Sequence, residues 1–237
     1  MENEMMDLEQ LAVYLRRDVR EVTKLANRGQ LPGQKVGGQW RFASTEINYW
    51  IETQMHAYTE AELANLETGP GKAPADSQPL VSVLMSEATM AVPLAASTKA
   101  SVLKELVTLA EQSWQVYDPE AILAAVRQRE DQGGTALAGG VAIPHPHRPL
   151  RNALGESVIA FARTAGGIPF GGPDGRLTDL FFLVCCRDHR THLHALARIS
   201  RLLLRPGFAD ELRAAESVTE TWHKIAAAER ELLDSPS

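Results

Sequence analysis

Apolar positions along the chain fall into segments of two different periods. Leu8, Leu11, Ala12 and Leu15 recur at helical spacing behind Asp7, a side chain suited to cap a helix start. Val19, Val22, Leu25 and Ala26 repeat that spacing after a break at Arg17-Asp18, and the run closes at residues 27–29. Two short helices with a tight turn between them predict a helix-turn-helix. Beyond Leu31-Pro32, the runs Gln34-Lys35-Val36 and Gln39-Trp40-Arg41-Phe42 flank Gly37-Gly38, which predicts a hairpin. A third helix follows from Ser44 or Thr45, with Ile47, Trp50 and Ile51 turned inward.

From residue 80 the pattern changes. Residues 80–84 open an apolar run, and Ser97 or Thr98 heads a helix with Val102, Leu103, Leu106, Val107 and Ala110 on one face. Asp118-Pro119 supplies the cap and first turn of the next helix, through Ile122, Leu123 and Val126. The apolar runs 158–161 and 180–186 predict buried strands. A further helix is expected from Thr191, with Leu193, Leu196, Ala197, Ile199, Leu203 and Leu204 apolar. Arg190, His194, Arg198, Arg201 and Arg205 fall on its opposite face. The fold class expected is α/β: a small helix-turn-helix unit linked to an α/β domain with a mixed sheet flanked by helices.

Between the two patterns lies ETGPGKAPADSQP (67–79), which has no apolar periodicity and the composition of a tether. The expected organisation is 1–57 for the helix-turn-helix domain, 58–79 for a helical extension and linker, and 80–237 for the α/β domain. Over 237 residues, 44% hydrophobic and 23% charged, the composition is that of a soluble globular chain rather than a disordered or fibrous one. No apolar run approaches the roughly 20 residues that span a bilayer. The acidic start MENEMMDLEQ lacks the apolar centre of a secretory signal. Cys185 and Cys186, the only cysteines, are adjacent and make a poor staple. A cytoplasmic protein without membrane insertion is expected. The net charge of −6 argues against a nucleic-acid partner, yet residues 16–41 carry seven basic side chains against two acidic ones.

The chemistry concentrates in GGTALAGGVAIPH (133–145), a glycine-rich loop running into a short apolar strand that ends on Pro144-His145. A histidine at the mouth of such a segment is open to close approach, and its neutral ring nitrogen is nucleophilic near pH 7. Arg129 upstream and Thr135 at the loop entrance are placed to contact the oxygens of a phosphoryl group. His192, one residue past a threonine cap, is expected at a helix N-terminus, where anions are favoured. Nucleophile, cation and helix-end donors together make a phosphoryl-accepting site. A metal reading of His145-x-His147 and His192-x-His194 runs against helix geometry, because positions i and i+2 do not share a face. No metal or cofactor is expected, and His56, His189 and His223 are expected at the surface. The chain has no Gly-x-x-x-x-Gly-Lys-Ser/Thr loop, so the phosphate is expected to arrive on a protein.

The order helix, turn, helix, LPGQKVGGQWRF wing, helix resembles the winged helix-turn-helix of the excisionase and MerR type over about residues 6–53. That resemblance implies DNA contacts from Arg17, Arg20, Lys24 and Arg28 on the second helix and its flank. It implies backbone contacts from Lys35 and Arg41 on the wing, with a homodimer reading two half-sites. The second domain, over roughly residues 80–235, resembles enzyme IIA of the phosphoenolpyruvate-dependent phosphotransferase system, in its fructose/mannitol class with the nitrogen-regulatory branch. The carrying residues are Arg129-Glu130, Thr135, Gly139-Gly140-Val141-Ala142-Ile143-Pro144-His145, IPFGGPDGRLTDLFFLV (168–184) and THLHALARISRLL (191–203). This implies that His145 accepts a phosphoryl group from an HPr-like phosphocarrier, with His192 and Arg129 supporting the phosphohistidine. The chain departs from that family in Pro146-His147-Arg148 after the histidine and in Ala136 and Ala138, where glycines are commoner. The expected function is a DNA-binding regulator with a phosphohistidine-accepting domain, a phosphocarrier component rather than an enzyme that turns over a metabolite. One alternative is a phosphocarrier that passes phosphate to an enzyme IIB and docks through its N-terminal module. Another is a regulator that works through a regulated protein partner alone.

Overall fold

The computed structural model describes residues 5–68 and 80–234, and the chain separates into two compact units, Met1–Asp76 and Ser77–Ser237. Beyond Thr68, the expected tether lies outside the described residues.

In the first unit β1 (Met5–Met6) leads into α1 (Leu8–Leu15). The Asp7 carboxylate accepts from the Gln10 amide at 2.8 Å while Gln10 Oε1 accepts from the Asp7 amide at 2.9 Å, a reciprocal cap. The chain turns at Arg16, whose φ is 52°, and Asp18 caps α2 (Val19–Asn27) through the Arg20 amide. β2 (Gln34–Val36) and β3 (Gln39–Ala43) form the expected hairpin, with Gly37 and Gly38 at φ 58° and 80°, which a side chain would resist. β1 pairs with β3 on its other side, giving the order β1-β3-β2. α3 (Ser44–Gln54) continues from β3 without a side-chain cap, and α4 (Glu60–Thr68) follows one 3-10 turn. Leu11, Ala12, Val22, Ala26, Leu31, Phe42, Ile47 and Ile51 form the core. Trp50, expected to point inward, is half-buried: Ile47 and Ile51 complete the inner face and Trp50 falls at its margin.

The second unit runs through turns at 80–84, β4 (Met90–Leu94), α5 (Lys99–Glu111), α6 (Pro119–Gly133), β5 (Ala136–Leu137), β6 (Val141–Ala142), β7 (Val158–Ile168), β8 (Thr178–Cys185), α7 (His189–Leu204), α8 (Phe208–Ala214) and α9 (Val218–Asp234). Thr98 and Asp118 cap α5 and α6 as their sequences predict. The sheet has the order β4-β7-β8-β6-β5, with β4 parallel to β7, β6 parallel to β8, and the other two pairs antiparallel. The stretches 158–162 and 180–185 read as unbroken apolar runs because both faces of the sheet are covered there, whereas β7 runs on past its expected end through Arg163 and Thr164 to residues 165–167, which are exposed. Ala160, Ala162, Phe181 and Leu183 pack with Val102 and Leu106 of α5 and Ile122 and Val126 of α6. Alternation puts Phe161 and Phe182 on the opposite face, with ring centroids 4.8 Å apart, where α7 lies on β8 and α9 on β4. Among the described residues no helix is long and apolar enough to cross a membrane.

Two expectations for α7 change. It begins at His189, because Asp188 and not Thr191 is the cap: Asp188 Oδ1 accepts from the Thr191 amide at 2.9 Å and Oδ2 from its hydroxyl at 2.8 Å. Arg198 and Arg201, expected on a solvent face, are buried, since α9 covers that side of the helix. Arg198 Nη1 donates to Glu229 Oε1 of α9 at 3.1 Å. The same carboxylate accepts from the amides of Leu80, Val81 and Ser82 at 2.8, 2.8 and 3.0 Å and from the Ser82 hydroxyl at 2.6 Å. Burial alone would raise the Glu229 pKa, but these hydrogen bonds outweigh it and hold the carboxyl below the usual range.

Candidate functional site

Two neighbouring parallel strands, β6 and β8, end on the same edge of the sheet, and each delivers a histidine there. His145 follows β6 by three residues, and its segment is tied to β8 by a hydrogen bond from the Val184 amide to the Pro144 carbonyl at 2.9 Å. His192 comes from α7, which the chain enters directly after β8. The two imidazoles meet edge-on, with centroids 5.1 Å apart and planes at 63°. Both are buried. The carboxyl ends of parallel strands are where open α/β sheets place their ligands.

His145 Nδ1 lies 2.7 Å from the carbonyl oxygen of Ile143. A carbonyl oxygen can only accept, so Nδ1 carries the proton and, in the neutral ring, the lone pair sits on Nε2. Ile143 is itself held by donation from its amide to the Thr135 carbonyl at 3.1 Å. Behind Thr135 stands Glu130, a buried carboxylate near the end of α6. It accepts from the Thr135 hydroxyl and, at 3.3 Å, from the Thr135 amide. Lys99 Nζ closes the chain at 2.8 Å from Glu130 Oε2, and it also lies 4.7 Å from the centre of the Phe170 ring. A continuous line of contacts therefore runs from Lys99 through Glu130, Thr135 and Ile143 to the His145 ring. Lys99 escapes sequence reasoning because nothing in its own segment marks it. Glu130 has a weak signal: an acid in the last turn of a helix, where the dipole disfavours it, needs a partner.

Arg129 is buried beside Glu130 on α6. Thr135, expected to face a phosphoryl group, directs its hydroxyl to Glu130. His192 lies in the first turn of α7, but its amide already donates to the Asp188 carbonyl at 3.1 Å. The glycine-rich turn does not frame His145. Gly139-Gly140 closes the β5–β6 hairpin at the opposite end of β6, because the chain must turn before the strand and not after it. There Arg213 Nη2 donates to the Gly139 carbonyl and, at 2.8 Å, to Asp179 Oδ1, and Asp174 Oδ2 accepts from the Gly139 amide at 2.8 Å. Of the other histidines, His194 Nε2 lies 3.2 Å from Arg198 Nη2, His56 and His223 are exposed as expected, and His189 is half-buried. Cys185 and Cys186 are buried free thiols, and burial pushes the Cys185 thiol well above its ordinary pKa.

In the first unit, Arg20, Lys24 and Arg28 are exposed at four-residue intervals along α2 and its C-terminal end, so they form one stripe. Arg17 extends the stripe and pairs with Glu21 at 2.8 Å. On the wing, Lys35 Nζ lies 5.1 Å from the centre of the Trp40 ring, and Arg41 donates to Gln39 Oε1 at 3.1 Å. Trp40 Nε1 donates to Asn27 Oδ1 at 3.3 Å, which fastens wing to helix.

Residues 83–227 match the family described as phosphoenolpyruvate-dependent sugar phosphotransferase system, EIIA 2, and residues 5–55 match a helix-turn-helix domain family. The nitrogen regulatory protein of Bradyrhizobium diazoefficiens is 35% identical over 151 residues, 62% of this chain and 95% of that protein. The fructose-specific EIIA component of Haloferax volcanii is 33% identical over 123 residues, 51% of this chain and 78% of its own. The fructose-specific EIIABC component of Bacillus subtilis is 30% identical over 139 residues, 58% of this chain, which spans 21% of that protein's length. Among solved structures, the nitrogen regulatory protein IIA-Ntr from Neisseria meningitidis aligns at a TM-score of 0.55 and 23% identity, over 62% of this chain and 99% of that one. IIA mannitol from Escherichia coli aligns at 0.52 and 18%, over 59% and 97%. At these identities the structural likeness establishes a shared fold.

Proposed function

Since this chain belongs to the EIIA 2 family of the phosphoenolpyruvate-dependent sugar phosphotransferase system and carries a helix-turn-helix domain, we propose that it is a DNA-binding regulator whose EIIA unit accepts a phosphoryl group on His145 from an HPr-like phosphocarrier. The observation that carries this reading is the His145 ring itself, with Nδ1 held by the Ile143 carbonyl and the edge of His192 packed against it.

In the transfer, the Nε2 lone pair attacks phosphorus as the bond from phosphorus to the donor's ring nitrogen breaks. The donor leaves as a neutral imidazole. The His145 ring becomes a phosphorylated imidazolium whose Nδ1–H still points at the Ile143 carbonyl, so no proton need move during the step. Arg129 and His192 support the charge of the phosphoryl group, and Thr135 serves the site by holding Ile143. The product adds about −1.5 to −2 charges by analogy with other phosphorylated residues. That change in charge alters DNA occupancy by Arg17, Arg20, Lys24, Arg28, Lys35 and Arg41. One such domain covers little groove, so two copies reading two half-sites are needed for useful affinity. A cytoplasmic setting follows from this chemistry, because the phosphocarrier and DNA are both there.

Intact-mass analysis after incubation with phosphoenolpyruvate, enzyme I and HPr tests the reading. One acid-labile phosphoryl group is expected on the native chain and none on His145→Ala. Gel shifts of both forms of the full chain test the link to DNA; equal affinity with and without phosphate would remove it. Rapid loss of the phosphate to an enzyme IIB would favour a transport role instead.

A further inference from the structure

Lys99 and Glu130 each sit at the end of a helix that disfavours their charge. Lys99 is the first residue of α5, beside the partly positive amides of the helix start. Glu130 lies in the last turn of α6, among carbonyls of the same sign as its carboxylate. Its side chain is only 1% exposed, so that charge is also held out of water.

The two side chains meet, Nζ to Oε2 at 2.8 Å, which offsets both faults without accounting for them. A buried ion pair is on average no more stabilising than apolar side chains of similar volume. α5 and α6 already share an apolar core that includes Val102, Leu106, Ile122 and Val126, and apolar residues at 99 and 130 would extend it. A local rule broken with no gain in stability is expected where a functional site needs it.

What a carboxylate does at position 130, and an apolar side chain does not, is accept from several donors at once. Glu130 accepts from the Thr135 hydroxyl, from the Thr135 amide at 3.3 Å and from the Lys99 ammonium. Thr135 is thereby held through both of its donors, and its carbonyl accepts from the Ile143 amide at 3.1 Å. The Ile143 carbonyl in turn holds His145 Nδ1 at 2.7 Å. Lys99 supplies the opposite charge that a buried carboxylate requires. Its ammonium is steadied 4.7 Å from the centre of the Phe170 ring, and Phe170 is fixed in the core 5.2 Å from Phe181.

We infer that Lys99 is a positioning residue for phosphoryl transfer. Through Glu130, Thr135 and Ile143 it holds the His145 ring at the angle, and in the tautomer, that present Nε2 to phosphorus. This rests on the reading of His145 as a phosphoryl acceptor. Lys99 touches no reacting atom, yet a misplacement of about 1 Å at a reacting atom can slow a step about a hundredfold.

The test follows phosphorylation of the full chain by cognate phosphorylated HPr and by phosphoramidate, a small donor. Lys99→Met removes the charge and keeps an unbranched stem. It is expected to lower kcat about tenfold with both donors and to leave KM within about twofold, while Lys99→Arg restores most of the rate. Nitrogen-15 spectra of the unphosphorylated Lys99→Met chain should show the His145 ring losing its single Nδ1–H tautomer. Lys99→Met/Glu130→Gln is the companion that leaves no unpaired buried charge. Its amide has one oxygen where the carboxylate has two, so it should melt nearer the native temperature and still be slow. Gly140→Ala, destabilised at the opposite end of β6, controls for lost stability and should keep the native kcat.

A native kcat in Lys99→Met or in the double variant overturns the positioning role, as does slowed transfer beside an unaltered His145 tautomer. Gly140→Ala as slow as Lys99→Met overturns it too, because lost stability would then account for both. A rise in KM for HPr alone would assign Lys99 to docking and overturn it as well. If neither donor phosphorylates the native chain, the reading of His145 falls and the role of Lys99 with it.

Discussion

The main-chain carbonyl of Ile143 accepts a hydrogen bond from Nδ1 of His145 at 2.7 Å, which leaves the lone pair of the neutral ring on Nε2, the nitrogen the proposed transfer would use. The phosphorylated protein should carry its phosphate on Nε2. Nitrogen-15 and phosphorus-31 spectra of the imidazole distinguish the two isomers, and a phosphate on Nδ1 would mean that the ring turns over before transfer.

Thr135→Val removes the hydroxyl that Glu130 accepts from while keeping the shape of the side chain. Leaving a buried carboxylate short of one donor should cost about 1–3 kcal/mol in urea unfolding. Because that hydroxyl contact also anchors the Thr135 main chain, whose carbonyl holds the Ile143 amide, phosphorylation by HPr should slow, whereas Thr135→Ser should restore most of both properties. A slow Thr135→Ser variant would show that the hydroxyl is not what matters.

Glu229 has a folded-state pKa below its unfolded value, so its contribution to stability is complete above the unfolded carboxyl pKa, about 4.3. It is lost as pH falls from there through the folded value. Glu229→Gln leaves Arg198 buried without its carboxylate and should cost about 3–5 kcal/mol at pH 7. The gap between native and variant should narrow toward pH 3. A gap that stays constant with pH would mean that the carboxylate's charge is not what stabilises the turns.

On the proposed DNA-contacting stripe, Lys24→Ala should weaken binding to all sequences alike and reduce the slope of log affinity against log salt by about one. Trp40→Ala should weaken it by a different route, since it frees the wing from Asn27. That variant should leave the contribution of the α2 stripe to the salt slope intact. Salt titrations of the full chain, read by fluorescence anisotropy, separate the two.

Gly140→Ala tests the hairpin away from the histidine. A Cβ there would meet the Leu177 carbonyl oxygen at 2.9 Å and Arg213 Nη2 at 3.0 Å, on a residue at φ +77°. Strain from the left-handed backbone alone should cost about 1–2 kcal/mol, and the melting temperature should fall accordingly. Phosphorylation of the folded fraction should continue at the native rate.

The elements whose starts are written in side chains were legible: Asp7, Asp18, Thr98 and Asp118 each cap the helix that follows. So were β8 and the first part of β7, where burial on both faces leaves an apolar run; the rest of β7 was not, since residues 163–167 bring in arginine, threonine and two glycines and are partly exposed. β1 was not legible, since two methionines have no period and pair with β3 only once the hairpin exists. α7 was misplaced by two residues because Thr191 and Asp188 both have capping oxygens, and only the folded backbone selects the acid. Of the site, His145 and His192 stood out in sequence. The tie from Lys99 to Glu130 and Thr135 did not, because Lys99 heads α5 and meets Glu130 of α6 only once the two helices pack.

The Glu229 carboxylate holds the first described residues of the second unit, Leu80 to Ser82, on the side of its last helix. Entry and exit of the EIIA unit are thereby stapled together, and through Arg198, which also contacts His194, the staple reaches the helix that carries His192. A pull on the incoming chain is borne by that staple before it reaches β4, so the unit behaves as a self-closed cassette. A circular permutant with a short bridge between these ends is expected to fold as long as Glu229 keeps its hold on Arg198 and on residues 80–82.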